Sequence, residues 1–317
     1  MTTQNQNLLR ADIAIADLDT NGGLLQPQQA NAFIDMILDQ PTILPQARVV
    51  RMAAPEVKIN RIGFGQRILR AAVQVGGAED NGSNDRYVRK ADRAAPTTTQ
   101  IKLNDSEVIA EVRIPYEVLE DNIEGQSLEA HIMRLIAERA ALDLEEFALW
   151  ADTSKSATDP FLGLQDGWLK RATSHVADNA DAGVSPDLFA NAMLALPQKY
   201  LRNLAQMKAW VSVANTLKYR QKVAQRPTGY GDTTLQSGTL PLQAFGLTIE
   251  GAPMLAAEDD GTSGLVTFPQ NLLFGIRRDI SVETDKDIRS REYIIVLTMR
   301  AALQIDDVDA VVKLANI

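Results

Sequence analysis

Residues 127–151 read SLEAHIMRLIAERAALDLEEFALWA, and the segment is helical in pattern, cap and charge. Leu128, Ile132, Leu135, Ile136, Ala140, Leu144, Phe147 and Ala148 form a stripe at three- and four-residue spacing. Ser127 suits the N-cap, and Glu129 falls in the first turn, where the helix dipole favours an anion. At 1.5 Å per residue the helix is a rod of roughly 36 Å. A rod of that length acts as a spine.

N-terminal to the spine, residues 57–103 read as a long two-stranded excursion. Val57, Ile59 and Arg61 alternate toward Ile68, Ala72 and Val75. Gly76-Gly77-Ala78-Glu79-Asp80-Asn81-Gly82-Ser83-Asn84-Asp85 supplies turn chemistry, and residues 87–103 return as an extended polar strand. A hairpin alone is marginal in water. No adjacent sequence covers arms this long, so the pattern implies support from another subunit. Arg61, Arg67, Arg70, Arg86, Arg89, Lys90 and Arg93 make a local basic strip along it. Further upstream, residues 1–26 are polar and aperiodic, an arm that orders against a partner. Gly22-Gly23 and Pro27 then lead into a short amphipathic helix that Pro41 ends.

C-terminal to the spine, residues 161–168 read as a Gly-punctuated loop and short strand, and residues 173–183 as a polar linker. Ser185-Pro186-Asp187 opens a helix through Leu188, Phe189, Met193, Leu194 and Leu196. Residues 208–213 have the density of a buried strand, and residues 214–223 continue as a helix. Residues 184–265 therefore form an α/β domain. Beyond it, Tyr293, Ile295, Leu297, Met299, Ala301, Leu303 and Ile305 alternate as one long half-buried strand. Residues 310–314 add a last short one. The fold class is α+β.

Composition removes several functions. The chain has 317 residues, 45% of them hydrophobic, enough for more than one core, with no cysteine and two histidines, His131 and His175. Disulfides, cysteine zinc sites and thiol catalysis are excluded. Residues 1–9 lack a signal-peptide pattern, and no run reaches the roughly 18 apolar residues that span a bilayer, so a soluble chain with no membrane partner is expected. The net charge of −9 opposes a surface that grips phosphate.

Local motifs read blandly. Asp17-Leu18-Asp19-Thr20-Asn21-Gly22 resembles half a calcium loop, but Gln28 stands where the bidentate Glu belongs. Gly63-Phe64-Gly65 lacks the third glycine of a dinucleotide fingerprint, and Thr228-Gly229-Tyr230-Gly231 lacks flanking membrane helices. Glu145-Glu146, Glu258-Asp259-Asp260 and Asp306-Asp307-Asp309 read as solvated charge, and Trp150, Trp168 and Trp210 as packing anchors. Neither histidine has a triad partner. No catalytic, cofactor or metal residue is assigned.

The order of elements does match one family. Gly22-Gly23-x-x-x-Pro27 and its helix come first, then the long hairpin, then Ile114-Pro115-Tyr116-Glu117-Val118-Leu119-Glu120 before the spine. The Gly163-Leu164 turn, the mixed domain and the strand return complete a chain that resembles the tailed-phage major capsid proteins of the Hong Kong 97-type fold. The resemblance spans about residues 15–317 and rests on element order more than on a diagnostic motif. It implies an N-terminal arm at 1–45, an extended loop at 46–110, a peripheral domain at 111–183 with return strands at 266–317, and an axial domain at 184–265. It places Arg67, Arg70, Glu79, Asp80, Arg86, Arg89 and Lys90 in contact with a neighbouring subunit, and Gly229, Tyr230 and Gly231 near a capsomer centre.

The implied function is an icosahedral shell around a double-stranded DNA genome, without enzymatic activity or cofactor. Its partners are the chain itself as pentamers and hexamers, a separate scaffolding protein because the arm is too short to serve as one, a portal, a decoration protein, and DNA without sequence-specific binding. It is expected in the virion capsid, assembled in the host cytoplasm. Lys90 and Lys102 lie in the loop region without a matched acceptor, so covalent cross-linking is not carried over. The alternatives are an encapsulin-like nanocompartment shell and, more remotely, a cytosolic α/β enzyme.

Overall fold

The computed structural model describes residues 41–64, 67–69, 95–117, 127–225, 242–259 and 261–317. Its strands are β1 (Arg48–Arg51), β2 (Glu56–Gly63), β3 (Thr97–Asn104), β4 (Ser106–Pro115), β5 (Val176–Asp178), β6 (Lys208–Val211), β7 (Leu242–Ala244), β8 (Leu247–Gly251), β9 (Gly264–Thr267), β10 (Leu272–Asp287), β11 (Glu292–Ile305) and β12 (Val312–Ala315). Its α-helices are α1 (Ser127–Trp150), α2 (Trp168–Arg171), α3 (Pro186–Ala195) and α4 (Val213–Ala224). The arm, the helix expected after Pro27 and the hairpin tip lie outside the described residues.

The alternation read at 293–305 is β11, in which Tyr293, Ile295, Leu297, Met299, Ala301, Leu303 and Ile305 are buried and the intervening residues, apart from buried Ala302, are half-buried. It sits in a four-stranded sheet of order β1-β10-β11-β4, with β1 parallel to β10 from Arg48 opposite Leu273 to Arg51 opposite Ile276. A six-stranded sheet runs β5-β12-β9-β6-β8-β7, with β12 antiparallel to β9 and β6 parallel to β8. Residues 173–183 are therefore not merely a linker. Within them β5 completes one edge of this sheet, parallel to β12 from Val176 opposite Lys313. Its side chains alternate exposed, half-buried, exposed, so three residues of backbone pairing left no apolar pattern to read.

The α/β core follows from capped helices laid on that sheet. Ser185 accepts from the Leu188 amide at 3.3 Å with Pro186 in the first turn, and Ser212 does the same for Asn215 at 3.3 Å. Phe189 and Tyr219 meet edge to face at 5.5 Å, among buried Met207, Val211, Leu247, Val266 and Leu314. Each such side chain contributes about 1.5–3 kcal/mol when fully buried.

Two other readings are corrected. Residues 161–168 hold a 3-10 turn, Leu162–Leu164, that leads into α2 rather than into a strand. Strand β2 ends at Gly63, and residues 67–69, expected to continue it, are in no ladder; residues 70–75 lie outside the described residues.

The chain divides into two compact units. One comprises residues 1–41, 110–144 and 282–296, and its described core is Ile114, Tyr293 and Ile295 against Val112, Tyr116, Ile132 and Ile136. The other comprises 42–109, 145–281 and 297–317 and contains the α/β core.

Candidate assembly site

The second unit carries the root of the hairpin. Strands β2 and β3 pair antiparallel from Glu56 opposite Asn104 to Gly63 opposite Thr97. Alternation turns Val57, Ile59, Ile101 and Leu103 inward, onto Met52, Leu273 and Ala302. The outward positions Glu56, Lys58, Asn60, Gln100 and Lys102 are exposed and polar. Their ion pairs, such as Lys58 with Glu56 at 3.6 Å, contribute little in water.

Three polar groups hold the root. Gln165 is buried; its Nε2 lies within 3.0 Å of the Asn104 and Ala301 carbonyls and 2.7 Å from Ser106 Oγ, and its Oε1 accepts from the Leu303 amide at 3.0 Å. Asp105 accepts from Arg277 at 3.0 Å, and Glu107 from Arg278 at 3.0 Å and Arg300 at 2.8 Å. The Arg300 hydrogen bond, with the positive charge of both arginines, holds the Glu107 carboxyl below its ordinary range.

Arg61 takes an inward position where the alternation calls for an apolar residue. Its guanidinium donates to the Asp306 carbonyl at 3.0 Å and to Asp307 Oδ2 at 2.8 Å. The Tyr200 hydroxyl donates to the same carboxylate oxygen, and Lys199 Nζ lies 4.4 Å from the Tyr200 ring centre. The Asp307 hydrogen bond raises the Arg61 pKa. Burial alone would raise the Asp307 pKa, but hydrogen bonds from Arg61 and Tyr200 outweigh it and hold the carboxyl below its usual value. Burial, then the Asp307 hydrogen bond, raises the Tyr200 pKa.

Past Arg61 the hairpin changes character. Ile62 is 73% exposed and Leu69 84%, with Phe64 and Ile68 exposed between them. Single exposed apolar residues are ordinary; several along one segment mark a contact surface.

A second anchor grips residues 42–46. Glu145, expected on a solvated helix face, is 0% exposed. It accepts from Thr42 Oγ1 at 2.9 Å and from the Ile43 and Leu44 amides at 3.1 and 3.4 Å. Burial raises its pKa despite those hydrogen bonds. Gln46 donates to Glu250 at 2.9 Å and accepts from Lys208 at 2.8 Å, while Lys208 also donates to Glu250.

Of the contact residues expected from sequence, Arg67 is exposed on the hairpin. Arg70, Glu79, Asp80, Arg86, Arg89, Lys90, Gly229, Tyr230 and Gly231 lie outside the described residues. The acidic triplet at 306–309, expected as solvated charge, is corrected at Asp307, which Arg61 and Tyr200 engage. The sequence did hold one signal for that contact, an arginine in the inward register of Val57 and Ile59. Nothing local marked Tyr200 or Gln165. Among the described residues no three His, Asp or Glu side chains group as metal ligands, and no helix is long and apolar enough to cross a membrane.

The described residues thus hold a long helix, a rooted hairpin with exposed apolar side chains beyond its root, and two compact units. No family model matches the chain. It is 39% identical over 323 residues to YqbE of Bacillus subtilis (strain 168), named as a prophage capsid protein, with 99% of each chain covered. The chain belongs to that family, the prophage capsid proteins. Its fold is similar to the capsid of an empty GTA particle at TM-score 0.61 and 15% identity, over 94% of this chain and 97% of that one. It is similar to the satellite phage P4 procapsid at 0.61 and 14%, over 100% and 98%, and to Mycobacterium phage Bobi at 0.60 and 16%, over 95% and 97%. Its role is that of a capsid protein, and its place is the virion capsid.

Proposed function

We propose that the chain tiles its shell as pentamers and hexamers around packaged double-stranded DNA, with no catalytic step of its own. The observation that carries the reading is the hairpin, fixed at its root by Gln165, Asp105 and Arg61 yet apolar and exposed at Ile62, Phe64, Ile68 and Leu69. In this reading those side chains dock on a second copy. Apolar burial there contributes about 25 cal/mol per Å² before association costs. Arg67, Arg70, Glu79, Asp80, Arg86, Arg89 and Lys90 belong to the same contact, and Gly229, Tyr230 and Gly231 meet their copies around the capsomer axis. Residues 1–45 are the arm, 46–110 the extended loop, 111–183 with 266–317 the peripheral domain, and 184–265 the axial domain.

The net charge of −9 supports a wall that encloses DNA without gripping it or reading its sequence. A scaffolding protein, a portal and a decoration protein are the partners the family resemblance implies, with assembly in the host cytoplasm. The test is size-exclusion chromatography and negative-stain imaging of the purified chain with any scaffold supplied. Shells, sheets or capsomers are expected, and the double variant Ile62→Ser with Leu69→Ser is expected to keep its circular dichroism but lose them. A native chain that stays monomeric or dimeric under all conditions contradicts the proposal.

A further inference from the structure

Arg61 sits where the hairpin's two halves meet. On its root side, Val57, Ile59, Ile101 and Leu103 face the body; on its distal side, Ile62, Phe64, Ile68 and Leu69 are exposed. The groups it grips are unusually well held for a turn. Asn271, buried, accepts from the Asp307 amide at 2.7 Å and donates to the Asp307 carbonyl at 2.9 Å and to Thr267 Oγ1 at 3.1 Å. Thr267, also buried, donates on to the Ala310 carbonyl at 2.9 Å, and the Asp306 amide donates to the Asn271 carbonyl at 2.9 Å. A buried, mutually satisfied polar network rigidifies the segment it holds. Tyr200 joins the α/β core to the same carboxylate.

We infer that the Arg61–Asp307–Tyr200 contact is the fulcrum of the hairpin, the point that fixes the stem of β2 and β3 to the body and so sets how the exposed Ile62, Phe64, Ile68 and Leu69 meet a second copy. The inference rests on the proposed assembly. A partly exposed ion pair adds little to global stability. It is well suited to bias the position of one local element, because local openings are separable from global unfolding. The two hydrogen bonds from one planar guanidinium fix direction as well as distance, which a lysine at the same position does not reproduce.

The experiment uses the full chain with Arg61→Ala, Arg61→Lys and Tyr200→Phe. By hydrogen exchange on the unassembled protein, Arg61→Ala is expected to exchange the amides of 56–63 and 97–104 at least ~10-fold faster. Strands β6 and β9 stay unchanged, and Arg61→Lys and Tyr200→Phe fall between. Under conditions where the native chain forms shells, Arg61→Ala is expected to give open sheets or shells of altered diameter. Unchanged stem exchange, or native-sized shells at native yield from Arg61→Ala, overturns the fulcrum while leaving the capsid reading intact. Failure of the native chain itself to assemble counts against the reading on which the inference rests.

Discussion

Glu145 and Asp307 show how two carboxylates of one chain acquire opposite acid–base behaviour. Glu145 is enclosed by the backbone at 42–44 and its hydrogen-bond partners there are all uncharged, so burial dominates and its pKa rises. Asp307 meets a guanidinium and a phenol, and its pKa falls. A group that binds its proton more tightly when folded stabilises the fold as pH falls through its folded pKa. Relative to Glu145→Gln, the native chain should therefore gain stability as pH drops from neutral through the Glu145 pKa; the contribution of Asp307, present above the ordinary carboxylate pKa, should be lost as pH falls from that value through the lower folded one. Glu145→Gln preserves the geometry, since its carbonyl accepts from Ile43 and Leu44 and its amide donates to the Thr42 hydroxyl. Glu145→Ala strands two backbone N–H groups and should lower unfolding stability by about 3 kcal/mol, measured by urea denaturation. Equal stability of the Ala and Gln variants contradicts the clasp. Neither carboxylate was legible from neighbouring residues: Glu145-Glu146 looks like a solvated pair because its donors lie about a hundred positions away in sequence.

At the level of elements, legibility followed the strength of the local signal. The Ser185-Pro186 start and the β11 alternation were readable because cap and period are written in adjacent residues. Strand β4 was not, since exposed residues occur on both of its faces, and β10 was not, since Arg277 and Arg278 interrupt its apolar run. The Gly163-Leu164 turn is visible in the sequence, and the structure supplies its reason. A Cβ on Gly163 would stand 2.3 Å from Ser156 Cα, so the backbone itself must move. Gly246 is needed differently, for φ +86° beside Phe245 at φ +53° in the two-residue connection between β7 and β8. A Cβ there finds only Leu204 at 4.0 Å. Gly246→Ala should thus lose about 1 kcal/mol from backbone strain alone, and Gly163→Ala more than about 2 kcal/mol. Chemical denaturation of the two variants checks the order; a larger loss for Gly246→Ala contradicts this account.

For the whole molecule, the order of elements carried the family resemblance, and long-range pairing decided what the order could not. Strand β12 returns to pair with both β5 and β9, contacts that no local pattern announces. The two compact units also differ in what they bury. The unit of 110–144 and 282–296 rests on Ile114, Tyr293 and Ile295, whereas the other encloses Phe189, Met207, Val211, Leu247, Val266 and Leu314. Regions with fewer buried apolar contacts open at lower free energy than the global fold. In the unassembled chain, amides of β4 at 110–115 and β11 at 292–296 should therefore exchange at least ~10-fold faster than those of β6 and β9. Assembly should slow them, because a subunit contact that favours the closed state stabilises it by mass action. Hydrogen exchange on free and assembled protein measures both steps. Equal protection of the two units in the free chain would show that they unfold as one, and unchanged exchange in the shell would mean that assembly leaves the smaller unit's closed state no more favoured than before.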